Sequence, residues 1–563
     1  MKNSIKMTFW GKAPKKIIHS ILFKPGLFLI TFLLFNSGVV VYGQFNEPST
    51  NLNYRDRERL PLLMPDNFDS LLLVSWRGEL GVPDPHNPLL TPAVPWDLGG
   101  VFAHGTVMHD PIDGLWKAWQ VSTPPEELLN SKAPKGWTQG LWALHETQRR
   151  LTYLESKDGV HWYRPKLTFN RWPGYDSTNI ILDLNSGGTA VYASVLVDPK
   201  DKKWPYEMFV IRNPSLGPDP NHVGNLPAPY PDNRGTYRYR SHDGKDWKLF
   251  AGPVHPLGKG GDVSFVYREP DGSYVSYFKM YSKEEGDRII PYDNNSQQLV
   301  RRIGRSTSAD GYKWTKPVMV LGRDWRDPGY AQFMELTPLK VEGGYVGMAT
   351  FYDASLKTIT LEFAASRDGI HWWRPTRRHS LPEPPLGDYG GGMMWQMHNP
   401  IVEDGKMYIY YGGTQGLHGE IYDSRVTPRL EVGNESVAGI PTPTLPFNSA
   451  LCRASWQFDR LWALVPSAGG PTLGQAVTRI EIPNGGKLAV NVLVKKGGEF
   501  RAELEDKFGN PIAGFTAKDC QPVIGDHHQL LLNWKGGQKA PADAARIRFV
   551  LKNAFLYGYG WRK

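Results

Sequence analysis

The chain has 563 residues, long enough for two or three domains. Its 20 Trp, 26 Tyr, 23 Phe, 59 Gly and 46 Pro suit strands and tight turns, and almost no stretch shows helical periodicity, so an all-β fold is expected and a helical one excluded. The formal net charge of +9 includes six lysines ahead of residue 44 and no acidic residue there; without them it falls to +3, too little for a general attraction to nucleic acid.

Those lysines are Lys2, Lys6, Lys12, Lys15, Lys16 and Lys24, and an apolar run over residues 27–41 follows them. Val41 and Gly43 supply small residues at positions −3 and −1 of a cleavage before Gln44. Residues 1–43 are therefore expected to be an export signal and 44–65 a short N-terminal segment. The apolar run is short for a membrane-spanning helix, which needs about 20 residues, so no stable membrane insertion is expected once the signal is cut. A periplasmic or extracellular location follows.

The next feature is a repeat. SKDGVHW (156–162), SHDGKDW (241–247), SADGYKW (308–314) and SRDGIHW (366–372) share Ser-x-Asp-Gly-x-x-Trp, about 60 to 85 residues apart. The Asp carboxylate can accept from nearby backbone N–H groups, Gly takes a positive φ, and Trp packs back on the sheet. Four copies point to one supersecondary unit repeated. Upstream, five segments read as a strand running into a short turn: GGVFAHGTVMHDPIDG, GTAVYASVLVDPKDK, GDVSFVYREPDG, GYAQFMELTPLKVEGG and MMWQMHNPIVEDGK. A second aromatic strand follows each. The unit is four antiparallel strands, and five such units predict a five-bladed β-propeller over residues 66–430. The fifth unit lacks the Asp-containing turn, so its outer strand is expected from SLLLVSW, residues 70–76. Residues 431–563, with KLAVNVLVKK, HQLLLNW and RIRFVLKNAFLYGY, are predicted to form a C-terminal β-sandwich. Cys452 and Cys520 are the two cysteines, and their separation leaves a disulfide and two buried thiols equally open.

The four turns, the strand LTYLESKDGVHWYRP and the tail RIRFVLKNAFLYGY resemble bacterial secreted five-bladed propellers of the glycoside hydrolase type, those of the arabinanase/xylosidase and invertase/levanase families, which carry a C-terminal β-sandwich. Similar turns, called Asp-boxes, occur in sialidases. The resemblance implies a carbohydrate-active enzyme, most often a hydrolase; its relatives also include enzymes that act on uronic acid-containing algal oligosaccharides by elimination. It names a fold more firmly than a chemistry.

Chain topology locates the active face. If each first strand starts at the top, the Asp-containing turns fall at the bottom, and Asp158, Asp243, Asp310 and Asp368 are structural. The long segments 122–148, 213–235 and 283–300 fall at the top with the connections 172–188, 251–261, 320–328 and 375–390. Polar residues where the innermost strands begin are the candidates. Glycoside hydrolysis needs two carboxyl groups about the scissile bond, and Asp97, Asp262, Asp327 and Asp388 come from different blades at matching positions. Glu335 lies deeper in its strand and is the weaker acid candidate. His104, Arg323, Arg326, Tyr330, Gln332, Trp395, His398 and His418 are the expected substrate-binding set. The histidines and Tyr330 offer an alternative: proton abstraction next to a carboxylate that Arg323 or Arg326 neutralises, which is β-elimination on a terminal uronic acid.

His104 and His109 are five apart on one strand and make no metal pair, and no H-E-x-x-H, C-x-x-C, P-loop or G-x-S-x-G motif occurs. No metal or cofactor is expected. The substrate is expected to be a neutral or anionic oligo- or polysaccharide and not nucleic acid. Hydrolysis is the leading expectation, elimination the second, and a non-catalytic glycan-binding propeller the third.

Overall fold

The computed structural model describes residues 59–123, 150–170, 172, 174–182, 189–213, 235–255, 263–287, 300–375, 377, 379–418, 448–467 and 473–563. Among these the regular structure is strands and one three-residue 3-10 turn, Pro65–Asn67. The predicted export signal and most of the long top-face segments lie outside the described residues.

Five antiparallel units follow one another along the chain. The first pairs Gly100–His109, Trp116–Thr123, Arg150–Ser156 and Trp162–Tyr163 in that order. The second pairs Thr189–Val197, Tyr206–Asn213, Gly235–Ser241 and Trp247–His255; the third pairs Ser264–Arg268, Tyr274–Ser282, Val300–Ser308 and Val318–Leu321. The fourth runs Ala331–Val341, Gly344–Asp353, Thr358–Ser366 and Trp372–Trp373, and a single parallel bridge, Ile359 to Met393, joins it to the fifth. The fifth consists of Met393–Gln396 with Ile401–Glu403, then Lys406–Thr414, Ser449–Gln457 and Val82–Pro83.

The first strand of each unit packs against the unit before it, and the series closes where Met393–Gln396 meets Gly100–His109. Hydrogen bonds stitch this inner ring together. His398 N donates to Gly105 O at 2.7 Å, Val195 N to Thr106 Oγ1 at 2.9 Å, and Val266 N to Ser194 Oγ at 2.9 Å. A core of Phe102, Val191, Phe265, Tyr267, Phe333, Met393 and others fills the space between the sheets.

The four Ser-x-Asp-Gly turns share one geometry. In the first, Gly159 N donates to Ser156 Oγ at 3.0 Å, and Val160 N and His161 N both donate to Asp158 Oδ1 at 2.8 Å. The glycines Gly159, Gly244, Gly311 and Gly369 sit at φ of 71° to 76°, which favours glycine. Backbone N–H donation and an adjacent His–carboxylate bond hold Asp158 and Asp368 well below the usual carboxylate range, although partial burial works the other way. Each turn also latches a neighbouring unit. Tyr410 Oη donates to Gly159 O at 2.7 Å, Trp119 Nε1 to Gly244 O at 2.7 Å, Arg238 Nη1 to Asp310 O at 2.9 Å, and Tyr277 Oη to Gly369 O at 2.8 Å. In every case the donor comes from the unit that precedes the turn around the ring.

Two expectations about the ring are corrected. Residues 70–76 do not close the fifth unit: Phe68–Leu72 pairs with Gly474–Thr478, and Val74–Gly78 with Trp462–Pro466. Their inward residues, Phe68, Val74 and Trp76, pack on the core of the C-terminal sheet. The strand that closes the ring is Val82–Pro83, paired with Ala454 and Ser455, and two residues are too few to show a period. The third strand of that unit, Ser449–Gln457, also extends the ring sheets past residue 430, because its alternating Cys452, Ala454 and Trp456 share one core with Met407, Ile409 and Tyr411 of Lys406–Thr414.

In the C-terminal region, hydrogen bonds join seven strands into one sheet, two of them contributed by residues 68–78. The long strands Lys487–Glu505 and Arg546–Arg562 pair along most of their length, with a register break between Val494 and Glu499. Both cysteines are buried free thiols, which closes the disulfide alternative. Cys452 lies in the fifth ring unit, where burial pushes its thiol up to about 12, and Cys520 lies in the core of the C-terminal sheet.

Candidate functional site

A regular strand alternates its side chains, so an extra residue reverses what faces the ring axis. Three inner strands carry such an insertion. In Gly100–His109 the register slips between Ala103 and Thr106; in Thr189–Val197 two residues, Tyr192 and Ala193, face one residue of the partner; in Ala331–Val341 it slips between Phe333 and Glu335. Ala103, His104 and Tyr192 adopt positive φ of 59°, 44° and 57°. Gly105 is compelled by contact, because a Cβ there would lie 1.8 Å from Trp119 O.

These bulges bring His104, Tyr192 and Glu335 together. His104 Nδ1 lies 2.8 Å from Glu335 Oε1, and Thr350 Oγ1 donates to Glu335 Oε2 at 2.8 Å. Glu335 is 1% exposed and His104 5%. The carboxylate accepts from Nδ1–H, which places the ring's proton on Nδ1 and leaves Nε2 as the basic atom. The Tyr192 and Trp395 rings flank the imidazole at 5.0 Å and 4.5 Å between centroids. Trp395 in turn approaches His418 at 6.0 Å, and His418 approaches Tyr352 at 4.7 Å. The Arg301 guanidinium lies 5.3 Å over the Tyr352 ring and donates through Nη1 to Gln332 Oε1 at 2.8 Å. The result is a strip of aromatic and basic side chains with one acid–base pair, His104 and Glu335, at its end.

His398 sits deeper on the axis. It is fully buried, stacked on Phe265 at 4.9 Å, and burial holds it down to about 3, which makes it a much poorer proton acceptor than the expected role requires.

Among the described residues, Asp97, Asp327 and Asp388 each sit in separate local contacts. Asp97 is buried in its own turn, accepting Ala93 N and Val94 N at 2.9 Å, and its other oxygen receives Arg164 Nε at 2.7 Å. Asp327 is clamped by Arg374 through two bonds of 2.5 and 2.7 Å and by Arg377 at 3.3 Å. Although burial opposes it, the Arg374 guanidinium holds the Asp327 carboxyl below its ordinary value. Asp388 is exposed in a turn in which its N–H donates to Pro385 O. Asp262 lies outside the described residues. Asp97 is engaged by its own turn and by Arg164, and Asp327 by Arg374 and Arg377, so the contacts of both carboxylates are those of structural residues.

Of the expected binding residues, His104, Trp395 and His418 come together, and Gln332 joins them through Arg301. Tyr330 is half-buried against the ring core. Arg323 is turned away, its Nε donating to Asp287 Oδ1 at 2.9 Å and its Nη2 to Glu285 O at 2.7 Å. Arg326 is exposed, with its guanidinium 5.0 Å over Trp325. Arg301 thus stands where Arg323 and Arg326 were expected. Glu335 lies deeper than a strand-entry residue, and His104 has the same depth in its own strand, each being the fifth residue of GVFAH and AQFME.

No family model matches the chain, and no curated protein does. Similar solved structures include one titled a glycoside hydrolase, at 12% identity over 68% of this chain and 92% of that one, with a TM-score of 0.41. Another is a thermostable family-43 glycoside hydrolase, at 14% identity over 56% and 84%, TM-score 0.36. A third is β-1,2-mannobiose phosphorylase from Listeria innocua, at 13% identity over 68% and 98%, TM-score 0.39. Likenesses this slight carry no argument about chemistry.

Proposed function

We propose that this chain is an exported, carbohydrate-active enzyme on a five-bladed propeller, and that it cleaves acidic oligosaccharides by β-elimination at a uronic acid. The observation that carries this reading is the His104–Glu335 pair at the ring axis, the acid–base couple that the described residues bring together there. Glu335 fixes the tautomer of His104, so Nε2 can take the proton from the carbon next to the uronate carboxyl. The electron pair forms the new double bond, the bond to the leaving oxygen breaks, and the protonated imidazole returns its proton to that oxygen. Glu335 stabilises the imidazolium while it lasts. Trp395 and Tyr192 offer flat apolar walls for sugar rings, and Arg301 places a positive charge along the same strip for an anionic sugar.

Hydrolysis is the second reading, and the buried Glu335 carboxyl at the axis favours it; a second carboxylate would have to come from outside the described residues, where Asp262 lies. Incubation with uronate-containing oligosaccharides separates the two. Elimination gives an unsaturated product absorbing near 235 nm, whereas new reducing ends without that absorbance would sink the elimination reading.

A further inference from the structure

Below the His104–Glu335 pair, two fully buried polar atoms have no hydrogen-bond partner among the described residues: the Tyr267 hydroxyl and His398 Nε2. Their rings meet edge to face at 4.3 Å between centroids. The neighbourhood decides which nitrogen of His398 carries the proton. Thr106 Oγ1 has a single proton, and it goes to Ala193 O at 2.8 Å; the same oxygen accepts from Val195 N at 2.9 Å. Its remaining contact, 3.1 Å to His398 Nδ1, is therefore one in which Nδ1–H donates. His398 Nε2 is then a bare lone pair that needs a donor, and Tyr267 has a hydroxyl proton to give.

We infer that the ring axis holds one ordered water molecule that accepts from the Tyr267 hydroxyl and donates to His398 Nε2. A water satisfies both atoms at once, which a direct bond between the two side chains does not do in this geometry. The depression of His398 by burial agrees, since a neutral ring keeps its lone pair at every ordinary pH. A metal ion is a poor fit, because among the described residues no three His, Cys, Asp or Glu side chains cluster to hold one.

A crystal structure at about 1.5 Å tests this directly. A single water peak at about 2.7–3.2 Å from both Tyr267 Oη and His398 Nε2 is expected. A direct Tyr267–His398 hydrogen bond, or no peak there, overturns the proposal. Nitrogen-15 NMR of histidine-labelled protein gives an independent reading: a His398 that remains an Nδ1–H tautomer from pH 8 down to pH 5 is expected, and an Nε2–H tautomer refutes it. Tyr267→Phe and His398→Phe should each shift the unfolding equilibrium by roughly five- to thirty-fold, and the double variant should cost less than the two combined; additive costs count against the shared water.

Discussion

Replacing Asp327 by Asn separates a structural carboxylate from a catalytic one. Asp327 and Arg374 are both nearly excluded from solvent, with side chains 4% and 3% exposed. Breaking a buried pair by neutralising one partner costs about 3–5 kcal/mol, since the other charge stays buried. Here Arg374 retains Glu362, whose Oε2 lies 3.0 Å from its Nε, and Asn still accepts one bond. The expected loss is therefore near the low end, about 3 kcal/mol, or roughly a hundred-fold in the folding equilibrium. Asp324→Asn is the control. Its pair with Arg377 is 41% exposed on the carboxylate side, and its loss should cost under about 1 kcal/mol. Urea unfolding followed by tryptophan fluorescence reads both, as a lower midpoint at unchanged slope. Below its melting transition the Asp327→Asn protein should keep full turnover. A variant whose stability stays within about 0.5 kcal/mol of the parent but which has lost activity would refute the assignment and return Asp327 to the catalytic set.

At the proposed centre, His104→Ala should lower kcat by about 10²–10⁴ with KM little changed, and full activity in steady-state assays would displace the site. Glu335→Gln keeps the shape but exchanges a charge-assisted bond for a neutral one, so kcat should fall roughly five- to thirty-fold in assays kept below a melting temperature that the same exchange lowers by several degrees. Burial raises the Glu362 carboxyl to about 7 from an ordinary 4.5, so the folded state binds more protons than the unfolded between those values. Stability should then decline as pH climbs from about 4.5 to about 7, by on the order of 3 kcal/mol, and Glu362→Gln should flatten that decline in urea titrations across pH. Gly369→Ala forces a Cβ to 2.7 Å from Tyr277 Oη at φ of +71°, whereas Gly405→Ala meets nothing within 4 Å at +72°. Both should lose about 1 kcal/mol for the backbone, and only Gly369→Ala should lose more.

The sequence displayed the parts of this molecule whose contacts are local. Every internal bond of a Ser-x-Asp-Gly turn spans three residues or fewer, so four copies could be found by inspection. The strand order within each unit follows from the same spacing. Contacts that close through space were hidden. The His104–Glu335 bond spans 231 residues, and Arg164 reaches Asp97 across 67. Asp97 and Asp327 looked catalytic because they begin inner strands; the guanidiniums that neutralise them come from other segments. Depth in its strand makes Glu335 the weaker candidate in sequence, and the bulge that brings it to His104 leaves no compositional mark, since AQFME lacks the glycine that often signals one.

Backbone strain accompanies the proposed centre on two of the inner strands. Left-handed φ costs about 1–2 kcal/mol for a non-glycine residue, and Ala103, His104 and Tyr192 carry it within the two adjacent inner strands Gly100–His109 and Thr189–Val197. The ring does not require this for closure. Ser264–Arg268 holds the same place in the third unit and pairs through all five residues with no break in register. Its inward side chains, Phe265 and Tyr267, pack in the core without any break in the strand's regular alternation. A chain that needed only a packed axis could build each inner strand in that regular way. Where this one departs from it, the departures aim an imidazole and a phenol at one point and let a buried carboxylate meet the imidazole. The strain is explained if that meeting is what the fold maintains, and the His104 and Glu335 substitutions test that on the chemistry itself.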